Sequence, residues 1–259
     1  MKLAILPALD VNIVWLSEID STNAMAARLV AGWAEDEDDR LKDTLIVAAT
    51  QTAGRGRNAH AWESPVGGLY ATWLGWLSTP ALGWLPIAAG VGLARAVEDA
   101  LPAVSVGLKW PNDLLVGGKK LAGVLCQSRT RGDSAWAAVG FGVNIGVTPR
   151  LADGSTAEAV SLGALGLGLA VEEALWVIVQ GFVRRLRGSL DQPAELRAAW
   201  LSRAVHHEGD PLRIRSGDEV VIGAYLGLAE DGHLELLVER ERRCFAAGEL
   251  VGELPETGG

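Results

Sequence analysis

With 259 residues, 49% of them hydrophobic, the chain is long enough for one large domain or a large domain with a small companion, and apolar enough for a substantial core. A formal charge of −9 argues against generic affinity for nucleic acid, whose binding rests on neutralising phosphates, so local basic groups have to be read locally. Two cysteines, Cys126 and Cys244, lie far apart without metal-ligand spacing, which excludes a disulfide framework or zinc knuckle and makes the cytoplasm the default compartment.

The first nine residues carry too little of a basic region and cleavage site for a secretory signal. Residues 12–19 read as a strand, and Ser21-Thr22 then supplies an N-cap for a helix over 23–33, with Ala24, Ala27, Leu29 and Val30 on one face. An acidic run over 35–39 reads as a solvated loop. A buried strand over 45–48 leads into a loop that runs to Pro65, and 68–76 alternates as a strand. No charged residue falls between Glu63 and Arg95, but Gly75, Pro80, Gly83 and Pro86 interrupt the run, so it reads as strand, turn and buried helix rather than a membrane span.

A helix over 83–101 is expected, then strands over 104–110 and 114–116, a Gly117-Gly118 hairpin, and strands over 120–128 and 135–144. Strands meandering through short turns favour an α+β fold, with a mixed or antiparallel central sheet and helices on one face. Helices are expected over 157–165, 171–186 and 193–205. From Gly209 the pattern changes to short strands over 211–214, 219–228, 233–238 and 242–246, which reads as a small β-barrel forming a second domain.

The chemistry concentrates in Gly54-Arg55-Gly56-Arg57, where glycines let the backbone turn and approach a ligand while the arginines offer forked donors to carboxylate or phosphate. A second cationic segment, Lys109-Trp110-Pro111-Asn112-Asp113 with Lys119-Lys120-Leu121-Ala122-Gly123, needs the same explanation. Nucleotide loops do not provide it: no Walker sequence is present, and Gly140-Phe141-Gly142-Val143-Asn144 lies inside a strand. His60, His206, His207 and His233 show no ligand spacing, so no protein-built metal site is expected.

Taken in order, Ser21-Thr22-Asn23, Gln51 to Arg57, Gly68-Leu69-Tyr70, Lys109 to Asp113, Lys120 to Gly123 and Gly140 to Asn144 resemble biotin protein ligases across about residues 12–146. The tail, with Gly223, Gly227, Asp231-Gly232 and Gly248-Glu249, is similar to that family's SH3-like C-terminal domain. The resemblance implies a class II aminoacyl-tRNA synthetase-like catalytic domain of the biotin/lipoyl ligase type over 1–208 and the SH3-like domain over 209–259. It points to the monofunctional class, since the residues before Val11 leave no room for a DNA-binding domain.

Such enzymes join biotin to ATP and transfer it from biotinoyl-5′-AMP to a lysine of a biotin carboxyl carrier domain, as in acetyl-CoA carboxylase, with Mg2+ accompanying ATP. By this resemblance Lys120, Arg55 and Arg57 are catalytic. Ser21, Thr22, Asn23, Gln51, Gly54, Gly56, Tyr70 and Gly123 join them around biotin, and Arg57, Asn112, Asp113 and Asn144 serve the nucleotide. An ammonium about 4 Å from a carboxylate contributes about 4 kcal/mol at an effective dielectric of ~20, before desolvation, so cations are the expected answer to two anionic reactants. Lys119, the strand neighbour of Lys120, is expected on the opposite, solvent-exposed face.

The chain departs from the family where Asn58-Ala59-His60 follows the arginines and Cys126-Gln127 replaces an acidic position; Cys126 reads as a small buried apolar side chain. Lipoate or octanoate ligation on the same fold, a DNA-binding repressor and a non-catalytic biotin sensor are the alternatives. No nucleic acid or membrane partner is expected, and a homodimer through a sheet edge is expected by analogy with relatives.

Overall fold

The computed structural model describes residues 2–6, 11–33, 43–149 and 158–251; the acidic run at 35–39 lies outside them. An eight-stranded sheet is laid down as β1 (Lys2–Leu6), β2 (Val11–Leu16), β3 (Thr44–Ala48), β4 (Leu69–Ser78), β5 (Gly107–Lys109), β6 (Asp113–Val116), β7 (Lys119–Arg131) and β8 (Ser134–Val143). Its spatial order is β1-β2-β3-β4-β8-β7-β6-β5, and only β2 and β3 run parallel. That one parallel pair needs a crossover, which α1 (Thr22–Trp33) provides.

Period-two patterning decides what covers each face of the sheet. Leu45 and Val47 of β3, Leu69, Ala71 and Trp73 of β4, and Ala137, Val139 and Phe141 of β8 enter the main core. Against them lie α2 (Leu85–Ala100) and α3 (Val171–Leu190), which pair Phe141 with Phe182 at 4.4 Å between ring centroids. α2 is apolar nearly all round because it is sandwiched between the sheet and α3. The intervening residues, Ile46, Leu74, Trp136 and Ala138, face the other way and meet Ala26 and Val30 of α1. The uncharged run between Glu63 and Arg95 is thus β4, a short turn and a core helix, and no helix among the described residues is long and apolar enough to cross a membrane.

Two expectations fail. Helices were expected on one face of the sheet, but α1 covers the face opposite α2 and α3, because Ile46, Leu74, Trp136 and Ala138 give that face an apolar patch of its own. Described residues 158–165 are not helical: Lys120 N–H donates to Glu158 O at 2.7 Å and Val160 N–H to Lys120 O at 3.0 Å, so an extended segment lies beside β7 before a turn at 162–166. Val160 and Leu162 are buried with a spacing of two, which suits an extended segment against a sheet rather than a helix face.

After α4 (Pro193–Leu201) comes a second sheet, in which β9 (Pro211–Ser216), β10 (Glu219–Leu228), β11 (Leu234–Val238), β12 (Glu241–Phe245) and β13 (Glu249–Leu250) pair antiparallel in the order β12-β11-β10-β9-β13. Arg197 of α4 donates to Leu228 O at 2.6 Å, tying this sheet to the larger one's helical layer. The strands β1 and β13 were not among the sequence expectations.

Candidate active site

The α1 face of the large sheet is left open beyond that helix, and a cavity of about 200 Å³ occupies the gap. Its floor is glycine: Gly123 of β7 pairs with Gly142 of β8, and Gly140 pairs with Leu125. A side chain at Gly142 would meet the Trp62 indole, its Cβ 2.5 Å from Nε1, and one at Gly140 would overlap the Asn23 amide. These glycines are what lets Trp62 and Asn23 lie against bare backbone.

One end of the cavity is made of neutral hydrogen-bonding groups. Ser21 caps α1, its Oγ accepting from Ala24 N–H at 3.4 Å, which satisfies one of the helix's orphan donors. Gln51 Oε1 accepts from Thr22 N–H at 2.9 Å while its amide donates to Ser64 Oγ at 2.9 Å. Asn23 donates to Leu125 O at 3.2 Å and Gln127 Oε1 at 3.0 Å, and its Oδ1 lies 2.6 Å from Thr72 Oγ1, which is also 2.9 Å from Thr22 Oγ1. Ser21, Thr22, Asn23 and Thr72 are all buried. Their mutual bonds hold the side chains in fixed poses, with spare oxygen lone pairs and the Ser21 hydroxyl left for a ligand.

The other end is cationic. Lys120 does not follow the simple alternation of β7: Leu115 pairs with Lys120 and Leu114 with Ala122, so a bulge takes up Leu121. The bulge turns Lys120 to the same side as Gly123, where an added Cβ would lie 3.7 Å from Lys120 Cε. There its ammonium is 2.7 Å from Asp113 Oδ1 and 5.4 Å from the centre of the Trp62 ring. Lys119 takes the opposite course, half-exposed with an ion pair to Glu158 at 2.6 Å. The Trp62 indole N–H is buried and has no acceptor among the described residues.

The arginine loop closes over this end as a small hairpin in which Trp62 N–H donates to Gly54 O at 3.0 Å and Gly56 N–H to His60 O at 2.8 Å. Arg55 is exposed and Arg57 half-buried, and both line the cavity. Burial pulls the Arg57 guanidinium down from its ordinary value, and Glu249 and Asp113 act in the opposite direction; an arginine remains charged through such a shift. Lys109 and Asn112 also reach the cavity, and Asn112 donates to Val124 O at 2.9 Å.

Of the residues expected at the site, Ser21, Thr22, Asn23, Gln51, Arg55, Gly56, Arg57, Asn112, Asp113, Lys120 and Gly123 line this one cavity. Three do not. Gly54 lies behind the loop against Trp62 O and Ser64. Tyr70 is 2% exposed and donates to Pro65 O at 2.7 Å, with burial and then Glu63 pushing its phenol up. Asn144 is buried and its amide is taken by Val160 O at 3.0 Å and Lys120 O at 3.3 Å, so it braces the strand carrying Lys120 and does not face the cavity. Trp62, Asn58, His60 and Glu249 also line the wall; in the sequence Asn58 and His60 stand out only as a departure from the family and Glu249 only as part of the C-terminal tail, and Trp62 carries no motif that would single it out. Cys126 packs beside the main core, and burial pushes its thiol up to about 12.

A cleft with a neutral amide and hydroxyl end, a glycine floor and a cationic end suits an elongated ligand with a polar head and an anionic tail, and a second anion beside it. Comparison with known proteins narrows that description. The profile of the biotin/lipoate A/B protein ligase family matches residues 19–144. The biotin–[acetyl-CoA-carboxylase] ligase of Paracoccus denitrificans is 32% identical over 251 residues, covering 91% of this chain and 98% of that protein. The chain belongs to the biotin protein ligase family. A second relative in this family, the biotin–[acetyl-CoA-carboxylase] ligase of Mycobacterium tuberculosis, is 29% identical, covering 91% of this chain and 88% of that protein. Among solved structures, the Aquifex aeolicus biotin protein ligase in complex with biotin and ATP superimposes with a TM-score of 0.71 at 27% identity, covering 92% of this chain and 97% of that one.

Proposed function

We propose that the chain is an ATP-dependent biotin–protein ligase. The biotin carboxylate attacks the α-phosphorus of ATP, the bond to the bridging oxygen breaks and pyrophosphate leaves; a carrier lysine amine then attacks the acyl carbon of biotinoyl-5′-AMP and AMP leaves. The observation that carries this reading is the single cleft in which the amide and hydroxyl cluster and the Lys120–Asp113 pair stand at opposite ends of one glycine floor. A ureido ring presents one carbonyl acceptor and two N–H donors, which suit Ser21, Thr22, Asn23 and Gln51. Its carboxylate then falls at the cationic end.

There Lys120 and Arg57 offset the repulsion between carboxylate and triphosphate and stabilise the charge that grows on the transferring phosphorus. Arg55, Lys109 and Asn112 contact the phosphates. Magnesium enters with ATP: no group of three or more His, Cys, Asp or Glu among the described residues forms a dedicated cage, and Asp113 with the substrate phosphates would hold it, which fits an ion that keeps few protein ligands. We place the protein in the cytoplasm with its carrier, a carboxylase biotin carrier domain, and assign a sheet edge as the place where a second copy would pair.

The test is exchange of labelled pyrophosphate into ATP with biotin, lipoate and octanoate in parallel. Exchange with biotin alone is expected; exchange with lipoate instead would move the chain to lipoate ligation, and biotin binding without exchange would make it a sensor. Since Tyr70 lies off the cavity wall, Tyr70→Phe is expected to lower stability by about 1 kcal/mol in urea unfolding and to leave biotin affinity within about twofold. A large loss of affinity at unchanged stability would return Tyr70 to the site.

A further inference from the structure

The arginine loop is tied to the C-terminal sheet at one point. At its tip Asn58 adopts φ 50°, ψ 37°, a left-handed conformation that asparagine tolerates better than most side chains. In that pose its Nδ2 donates to Glu249 Oε2 at 3.1 Å. Glu249 begins β13, whose backbone pairs with Arg215 and Ile214 of β9, so the carboxylate is anchored by the sheet while Asn58 is exposed on a short turn. Both residues line the cavity beside Arg57.

We propose that Glu249 is a positioning residue for the arginine loop: by clasping Asn58 it lets the C-terminal sheet set the pose of Arg57 over the cavity. The clasp rests on the geometry of the loop; its effect on biotin and adenylate rests on the ligase reading.

Trypsin tests the clasp without reference to activity, because its cleavage points, Arg55 and Arg57, are in the loop itself. Cleavage after either residue in the ligand-free, full-length protein is expected to quicken by about five- to tenfold in Glu249→Ala and in Asn58→Ala, the factor carried by one charge-assisted hydrogen bond at an exposed loop. The double variant is expected to match the singles, since both remove the same bond. Glu249→Gln keeps an acceptor oxygen and is expected to stay within about twofold of the parent.

Additive effects in the double variant, or a Glu249→Gln as susceptible as Glu249→Ala, would overturn the clasp. Should Glu249→Ala fail to fold, Asn58→Ala alone decides, with unchanged cleavage counting against the proposal. In the exchange assay Asn58→Ala and Glu249→Ala are expected to raise the biotin KM by more than they lower kcat. A parent protein inactive with biotin would defeat the ligase reading while leaving the tryptic result to judge the clasp.

Discussion

Replacing Lys120 by alanine is expected to lower biotin-dependent pyrophosphate exchange by about 10²–10³-fold, the range seen when one preorganised charge-stabilising group is removed from an active site. The reason is placement. The bulge at Leu121 brings the Lys120 ammonium onto the cavity side, 2.7 Å from Asp113, at the end where two anionic reactants must meet. Its contribution is needed most as charge develops on the transferring group, so the loss falls mainly on kcat and less on biotin affinity.

Lys119→Ala is the matched control. It removes the same charge one residue away, but from the half-exposed side paired to Glu158, where an ion pair contributes about 0–1 kcal/mol and screening weakens it further. Exchange within about twofold of the parent is expected for it, a range that a surface charge of that strength allows. Equal losses in the two variants would mean that net charge, and not the bulge, sets the rate. No loss in Lys120→Ala would remove it from the chemistry.

Lys119 and Lys120 also show where sequence reading reached and where it stopped. Their opposite faces follow from strand alternation and hold in the structure, yet which one faces inward depends on the bulge, and that arises from pairing with β6, a partner the local sequence does not contain. The hairpin at Gly117-Gly118 was legible because both residues need positive φ, and they have it at 57° and 78°. Residues 158–165, part of the helix expected over 157–165, were misread because a short mixed segment fits either period until its neighbour is known, and the neighbour here is β7.

The site divides the same way. Glycine spacing and charge pointed locally to the two cationic segments, and the family resemblance then picked out Arg57, Lys120, Asp113 and Gln51, all of which line the cavity. Trp62 and Glu249 reach the cavity from the far side of the loop and from a separate sheet, which only the tertiary fold brings near. Tyr70 and Asn144 end two further motifs of the resemblance but point to the Pro65 and Val160 carbonyls. Adjacency in a motif did not tell cavity wall from bracing: Tyr70 pairs with Gly142 of the cavity floor, yet its hydroxyl is taken by a carbonyl outside its own motif.

Gly140→Ala is expected to raise the biotin KM by about 100-fold, or about 2.7 kcal/mol of binding, and to reduce stability by about 1–3 kcal/mol, although it adds a single methyl group. The methyl would fall inside the contact distance of Asn23 Oδ1. Asn23 cannot yield freely, because its amide bonds Leu125 O and Gln127 Oε1 and its oxygen accepts from Thr72. Moving it breaks that set and carries the start of α1, with Ser21 and Thr22, away from its pose. The clash and the chemistry can be separated by adding Asn23→Ala: the double variant should regain most of the stability, because the overlapping oxygen is gone, but not the biotin affinity, because the amide that orders this end of the cavity is gone as well. Gly188→Ala gives the contrast. It sits in α3 with nothing within 4 Å of an added Cβ, so alanine there should stabilise the helix by about 0.5–1 kcal/mol and leave the KM alone. Urea unfolding and biotin titration of the three variants would decide the matter. Recovery of affinity in the double variant would show that Gly140 matters only as a packing position and that Asn23 has no part in holding biotin.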